Sequence, residues 1–227
     1  MPEHIQLQAG DGHNFDAYIA YPSEKPKAGL VVLQEIFGVN AHIRSVADRF
    51  AQTGFLTIAP ALFDRAERHV ELAPDPKSAR KGMAIARDLP PERTLPDIEA
   101  AITYLRNQGM RKVGVVGYCW GGTLAWLTNT RLRPDATVSY YGGNIHNYGD
   151  ERPTCPAMFH FGLLDKHIPQ SVVEELRQKH PNSPIFTYQA DHAFNNDLRP
   201  SYNGAAANLA LQRTLAHFEK YLMNKAN

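Results

Sequence analysis

Residues 112–130, KVGVVGYCWGGTLAWLTNT, pass from a strand into a helix with no loop between them. KVGVVGY (112–118) is short and apolar, as a strand buried on both faces must be. CWGGTLAWLTNT continues as a helix. The turn reads Gly117-Tyr118-Cys119-Trp120-Gly121. Glycines at its two ends let strand and helix approach, so the central residue can take a strained backbone conformation. The helix N-terminus offers unpaired N–H groups and a partial positive charge, and both favour a thiolate at Cys119. A buried structural cysteine would fit the same turn, so the choice rests on partners elsewhere in the chain.

The rest of the chain alternates strand and helix. Residues 5–8 and 15–20 read as two antiparallel strands around Gly10-Asp11-Gly12. GLVVLQE (29–35) is a buried strand. NAHIRSVADRFAQTG (40–54) has apolar residues at helical spacing and ends where Gly54 can cap it. FLTIAP (55–60) is the next strand. Residues 61–91 are irregular, with a helix expected from about 77 to 88. LPDIEAAITYLRNQ (95–108) is a helix ending at Gly109. ATVSYYG (136–142), PAMFHFG (156–162) and PIFTYQA (184–190) are further strands, with helices near 168–180 and 205–223. Such alternation predicts an α/β fold: a mostly parallel central sheet with helices on both faces. Sites in these folds lie beyond the carboxyl ends of the strands.

The 227 residues suit one domain, 1–227. Lys and Arg number 24 against 23 Asp and Glu, with no long block of one sign. That argues against an electrostatic nucleic-acid or membrane binder. Two cysteines, Cys119 and Cys155, are too few for a disulfide framework. MPEHIQLQAG lacks the basic and apolar parts of a signal peptide, and no apolar run reaches the roughly 20 residues that span a bilayer. The expected location is the cytoplasm, where Cys119 stays reduced.

Two residues give Cys119 partners. GLLDKHIP carries Asp165 just after a predicted strand, and ADHAFNN carries His192 just after the next. The order is nucleophile, Asp, His, each on a loop at a strand's carboxyl end. This is the chain order of the α/β-hydrolase triad. His192 would accept the Cys119 proton and Asp165 would orient the imidazole. His160, inside a strand, and His167, on the Asp165 loop, are weaker candidates.

With QEIFGVN (34–40) and GYCWGG (117–122) in order before the Asp165 and His192 loops, the chain resembles the dienelactone hydrolases (carboxymethylenebutenolidases). The resemblance runs from the DGHNF turn to the last helix. It implies an α/β-hydrolase fold without a large lid domain, so the 61–91 excursion is expected to form the pocket wall. It implies that Glu35 helps produce the thiolate, and that the backbone N–H groups of Ile36 and Trp120 form an oxyanion hole. It also implies two arginines for a substrate carboxylate. Arg80 is the best match for one, with Arg65 and Arg68 as alternatives. The place of the second holds Asn196, and Arg199 follows three residues later. Phe37 and Tyr141 are candidate pocket walls beside Trp120.

Sulfur suits such a substrate. A thiolate attacks a carbonyl readily but also leaves readily, so the substrate's own leaving group must be good. An enolate is. The expected activity is therefore opening of an enol lactone through a thioester, the alternative being a carboxylesterase of the same family acting on another lactone or activated ester. A ligand-sensing relative would have a broken triad, and a redox protein would need Cys155 as resolving thiol. No metal or organic cofactor motif is present, and the expected partner is a small lactone or ester, bound by a monomer.

Overall fold

The computed structural model describes residues 3–223. Its strands are β1 (Glu3–Gln8), β2 (Asn14–Ala20), β3 (Ala28–Leu33), β4 (Phe55–Pro60), β5 (Val113–Tyr118), β6 (Ala136–Tyr140), β7 (Ala157–Gly162) and β8 (Ile185–Tyr188). They form one sheet in the order β1-β2-β4-β3-β5-β6-β7-β8. The hairpin β1–β2 is antiparallel, in register from Glu3 opposite Ile19 to Gln8 opposite Asn14, and β2 joins β4 antiparallel. From β4 to β8 every pairing is parallel.

The helices are α1 (Ala41–Gln52), α2 (Pro76–Arg87), α3 (Pro91–Asn107), α4 (Trp120–Leu132), α5 (Gln170–Lys179) and α6 (Gly204–Phe218). Successive strand side chains point to opposite faces, which splits the core in two. On one face Leu30, Val32, Val116 and Val138 pack with Ile43, Val46 and Phe50 of α1 and Phe218 of α6. On the other, Val31, Leu33, Val113 and Val115 pack with Ile98, Ile102 and Leu105 of α3 and Leu124 of α4. Each such side chain contributes about 1.5–3 kcal/mol relative to leaving it exposed. Asn40 caps α1 through the Ile43 N–H at 3.2 Å, and Asp75 caps α2 through the N–H groups of Lys77 and Ser78.

Three boundaries differ from expectation in ways that matter. Helix α3 starts at Pro91 rather than 95, because proline at the first helical position has no N–H to lose; Pro96 then sits inside the helix. Strand β3 stops at Leu33, so Gln34 and Glu35 belong to the loop that follows. Strand β6 stops at Tyr140, because Tyr141 turns to a positive φ of 38°.

The 61–91 excursion is more ordered than its prolines suggest. After a short 3₁₀ turn at Leu62–Arg65 it returns along the loop after β3. Gly38 pairs with Glu71, and the Leu72 N–H donates to the Phe37 carbonyl at 2.9 Å. Gly82 of α2 lies so close that a Cβ there would sit 1.8 Å from the Ile36 carbonyl oxygen.

Candidate active site

Cys119 stands between β5 and α4 with φ 54° and ψ −118°. A non-glycine residue held there costs of order 1–3 kcal/mol and persists only where its surroundings enforce it. They do so here. Its N–H donates to the Tyr140 carbonyl at 3.0 Å, and the Gly121 N–H donates to the Gln34 carbonyl at 3.1 Å. A Cβ at Gly117 would lie 1.9 Å from the Gly121 oxygen, and one at Gly121 would lie 2.4 Å from the Gln34 oxygen. The two glycines therefore let β5, α4 and the end of β3 meet at one point.

Cys119 and its two expected partners come together. The His192 Nε2 lies 3.2 Å from the Cys119 Sγ, and its Nδ1 lies 2.7 Å from the Asp165 Oδ2. Asp165 is buried, and its Oδ1 accepts the N–H groups of His167 at 2.8 Å and Ile168 at 3.3 Å. Burial alone would push the His192 imidazolium down. The Cys119 thiolate and the Asp165 carboxylate outweigh it and raise the pKa to about 10. His160, by contrast, is fully buried in β7 on the Tyr188 hydroxyl and Thr214, and burial lowers its pKa to about 3. His167 packs edge-on against His192, with ring centroids 5.2 Å apart.

Glu35 is buried in the loop after β3. Its Oε2 accepts the Asn196 amide at 2.5 Å, and its Oε1 has no hydrogen-bond partner among the described residues. Ile36 follows it. Trp120 opens α4, where the first N–H groups have no intrahelical acceptor. The Gly121–Gln34 hydrogen bond brings these two backbone segments side by side. A small third core of Phe63, Val70 and Leu89 from the excursion packs against Ile36 and Trp120.

The expected substrate-binding residues divide. Phe37 and Tyr141 are fully buried, Tyr141 with its ring 5.2 Å from that of His192. Its hydroxyl is buried without a partner among the described residues. Asn196 is turned inward: its amide donates to Glu35 and its oxygen accepts the Leu198 N–H at 3.0 Å. Arg199 is half-buried with its guanidinium 5.8 Å from the Phe37 ring centre. Arg80 is exposed on α2. The alternatives to it are engaged elsewhere, Arg65 with Asp11 and Asp97 at 2.7 Å each and Arg68 with Asp16 at 2.9 Å. The sequence reading missed His42 and Asp197, which pair at 2.8 Å beside this site. The one available signal was a histidine in the first turn of a helix leaving the Glu35 loop. Among the described residues no cluster of three His, Cys, Asp or Glu side chains could hold a metal ion, and no helix is long and apolar enough to cross a membrane.

An eight-stranded, mostly parallel sheet with helices on both faces and this strand–turn–helix at its centre is an α/β-hydrolase fold. A crystal structure described as a putative dienelactone hydrolase from Klebsiella pneumoniae superposes with a TM-score of 0.85 at 30% identity, covering 97% of this chain and all of the other. Carboxymethylenebutenolidase from Pseudomonas putida is 33% identical over 224 residues, 95% of each chain. Carboxymethylenebutenolidase 1 from Cupriavidus pinatubonensis is 31% identical over 223 residues, again 95% of each. The family model described as the dienelactone hydrolase family matches residues 15–222. The chain belongs to the dienelactone hydrolase family, and is a hydrolase of ester bonds.

Proposed function

We propose that this enzyme opens an enol lactone, of the type that converts dienelactone to maleylacetate, through Cys119, His192 and Asp165. The observation that carries the reading is the Sγ–Nε2–Oδ2 line, at 3.2 Å and 2.7 Å, on a positive-φ turn. The names of the Pseudomonas and Cupriavidus relatives support the lactone. The Cys119 thiolate attacks the lactone carbonyl, and the oxyanion is met by the N–H groups of Ile36 and Trp120. The bond between the acyl carbon and the ring oxygen breaks, and the enolate that leaves takes a proton from the His192 imidazolium. His192, now neutral, draws a proton from water, which attacks the thioester. The thiolate leaves and the imidazolium is restored. Glu35, buried and lacking a partner on Oε1, is read as a base for the Cys119 proton.

Phe37 and Tyr141 wall the substrate, Arg199 meets a substrate carboxylate at the mouth, and Arg80 is the outer cation. Asn196 acts through Glu35. We read residues 1–227 as one domain, working as a monomer in the cytoplasm; its two free cysteines suit a reducing compartment.

A second reading has one observation in its favour. The Asn196 amide is committed to Glu35, which leaves Arg199 as the half-buried cation of that loop. A carboxylesterase acting on neutral activated esters would need no more. Ultraviolet loss of 4-carboxymethylenebut-2-en-4-olide, compared with an aryl acetate, in wild type and Cys119→Ala decides. Lactone turnover that depends on Cys119 is the expected result. Cys119-dependent aryl ester cleavage without lactone turnover favours the second reading, and activity surviving in Cys119→Ala sinks both.

A further inference from the structure

Two imidazoles near the nucleophile hold a carboxylate through Nδ1. One is His192. The other is His42, in the first turn of α1, whose Nδ1 lies 2.8 Å from the Asp197 Oδ1. The His42 side chain is wholly buried, whereas that of Asp197 is 44% exposed. The His42 Nε2 is buried with no hydrogen-bond partner among the described residues, and so is the Glu35 Oε1. The Tyr141 hydroxyl, which couples to Glu35, is a third such atom, and a buried polar atom left so costs about 1–3 kcal/mol, which makes the group informative.

The chain brings them into one region. Glu35 and His42 lie near the two ends of the segment that leaves β3 and enters α1. Facing them are consecutive residues: Asn196 holds Glu35 at 2.5 Å, and Asp197 holds His42 at 2.8 Å. Successive Cα atoms are about 3.8 Å apart, so one short stretch of the loop after β8 holds both Glu35, in the loop after β3, and His42, in the first turn of α1. The Tyr118 ring packs edge-on against His42, with centroids 6.5 Å apart, and its phenol lies in the field of the Glu35 carboxyl. Among the described residues, Tyr141, after β6, couples to Glu35 and to Cys119, and Arg49, from α1, couples to Tyr118.

We propose that His42 and Asp197 are positioning residues for the proton of Glu35, joined to its Oε1 through one water at the His42 Nε2. Glu35, protonated by Cys119, gives that proton to the water as the water gives one to Nε2. The Nδ1 proton passes to Asp197, and its exposed carboxylate releases it to solvent. Glu35 returns to carboxylate and His42 ends as the other neutral tautomer; after the thiolate leaves, the reverse run carries one proton from solvent back to Glu35 and on to Cys119, and restores the first tautomer of His42. Glu35 thereby exchanges protons with solvent while substrate fills the mouth. The inference rests on the reading of Glu35 as acting on the Cys119 proton.

The test uses His42→Asn, which keeps a donor for Asp197 but has no Nε2, and Asp197→Asn, which keeps a hydrogen bond but cannot carry a proton. Each is measured alone and with Glu35→Gln for kcat, KM and the pH profile of kcat. The expected result is a kcat loss of about tenfold with KM unchanged, an altered pH profile, and a double variant no slower than Glu35→Gln. Wild-type kcat and pH profile in His42→Asn overturn the proposal. So does a double variant whose loss is the product of the single losses. If Glu35→Gln itself matches wild type, the reading beneath the proposal fails, and that outcome is separate. Should His42→Asn not fold by circular dichroism, Asp197→Asn, altered at an exposed partner, carries the same expected and overturning results.

Discussion

The Asn196 amide nitrogen lies 2.5 Å from the Glu35 Oε2 and supplies the one hydrogen bond that this buried carboxyl receives among the described side chains. An uncharged donor holds Glu35 in place without fixing it as an anion. Asn196→Ala is therefore expected to destabilise the fold by about 1–3 kcal/mol, the cost of a buried polar group left without a partner. Urea unfolding gives the number. An unchanged midpoint would mean that the Glu35 carboxyl finds another donor.

The raised His192 pKa depends on the Cys119 thiolate. With the sulfur removed, burial acts against Asp165 alone, so the imidazolium of Cys119→Ala should titrate well below the value of about 10 set in the wild-type pair. An NMR titration of the His192 Cε1–H reads this directly. In wild type the imidazolium persists through neutral pH and is lost as pH rises through about 10, and an alkaline fall in kcat/KM should follow. A variant that still titrates near 10 would show that the sulfur carries no charge.

Gly82 sets the position of the Ile36 peptide. A methyl group there would overlap the Ile36 carbonyl oxygen, 1.8 Å away. Gly82→Ala should cost about 1–3 kcal/mol of stability and, by shifting one arm of the proposed oxyanion hole, lower kcat at least tenfold. Steady-state kinetics beside thermal melts checks both parts. Full activity in a stable variant would remove Ile36 from the chemistry.

Arg199→Gln separates substrates. KM for a carboxylate-bearing lactone is expected to rise about tenfold, while KM for a neutral aryl acetate stays the same. Equal effects on both would assign Arg199 a packing role over Phe37.

Acid should weaken the fold through its buried histidines. Burial lowers His160 to about 3 and His217 to about 4, from an ordinary value of 6.5. Both are neutral in the folded protein, so their stabilisation is whole above 6.5 and drains as pH falls through about 4 and then 3. Each gives a slope of roughly 1.4 kcal/mol per pH unit in that window. Urea unfolding at pH 7 and 5 should show the loss in wild type and a smaller one in His160→Gln.

Cys119, Asp165 and His192 were legible in the sequence because each follows within a few residues a strand that announces itself by apolar pattern. The sheet order brings such loops together, so local reading carried to a distant contact. The same reading could not reach Asn196 on Glu35 or Asp197 on His42, pairs 161 and 155 residues apart with no local signature. Arg65 and Arg68 looked available because the Asp11, Asp97 and Asp16 carboxylates that hold them come from other elements. The prolines of 90–96 hid the start of α3, since only the folded chain shows which one stands at its first position.

The excursion meets the site through main-chain atoms, Leu72 on Phe37, Glu71 on Gly38 and a glycine against Ile36, and through the small core of Phe63, Val70 and Leu89. None of these seams depends on the side chains that α2 displays, such as Arg80 and the exposed Met83. Selection, or a library, can therefore change the exposed positions of α2 while its inner face and the main-chain seams keep the reacting atoms where they are.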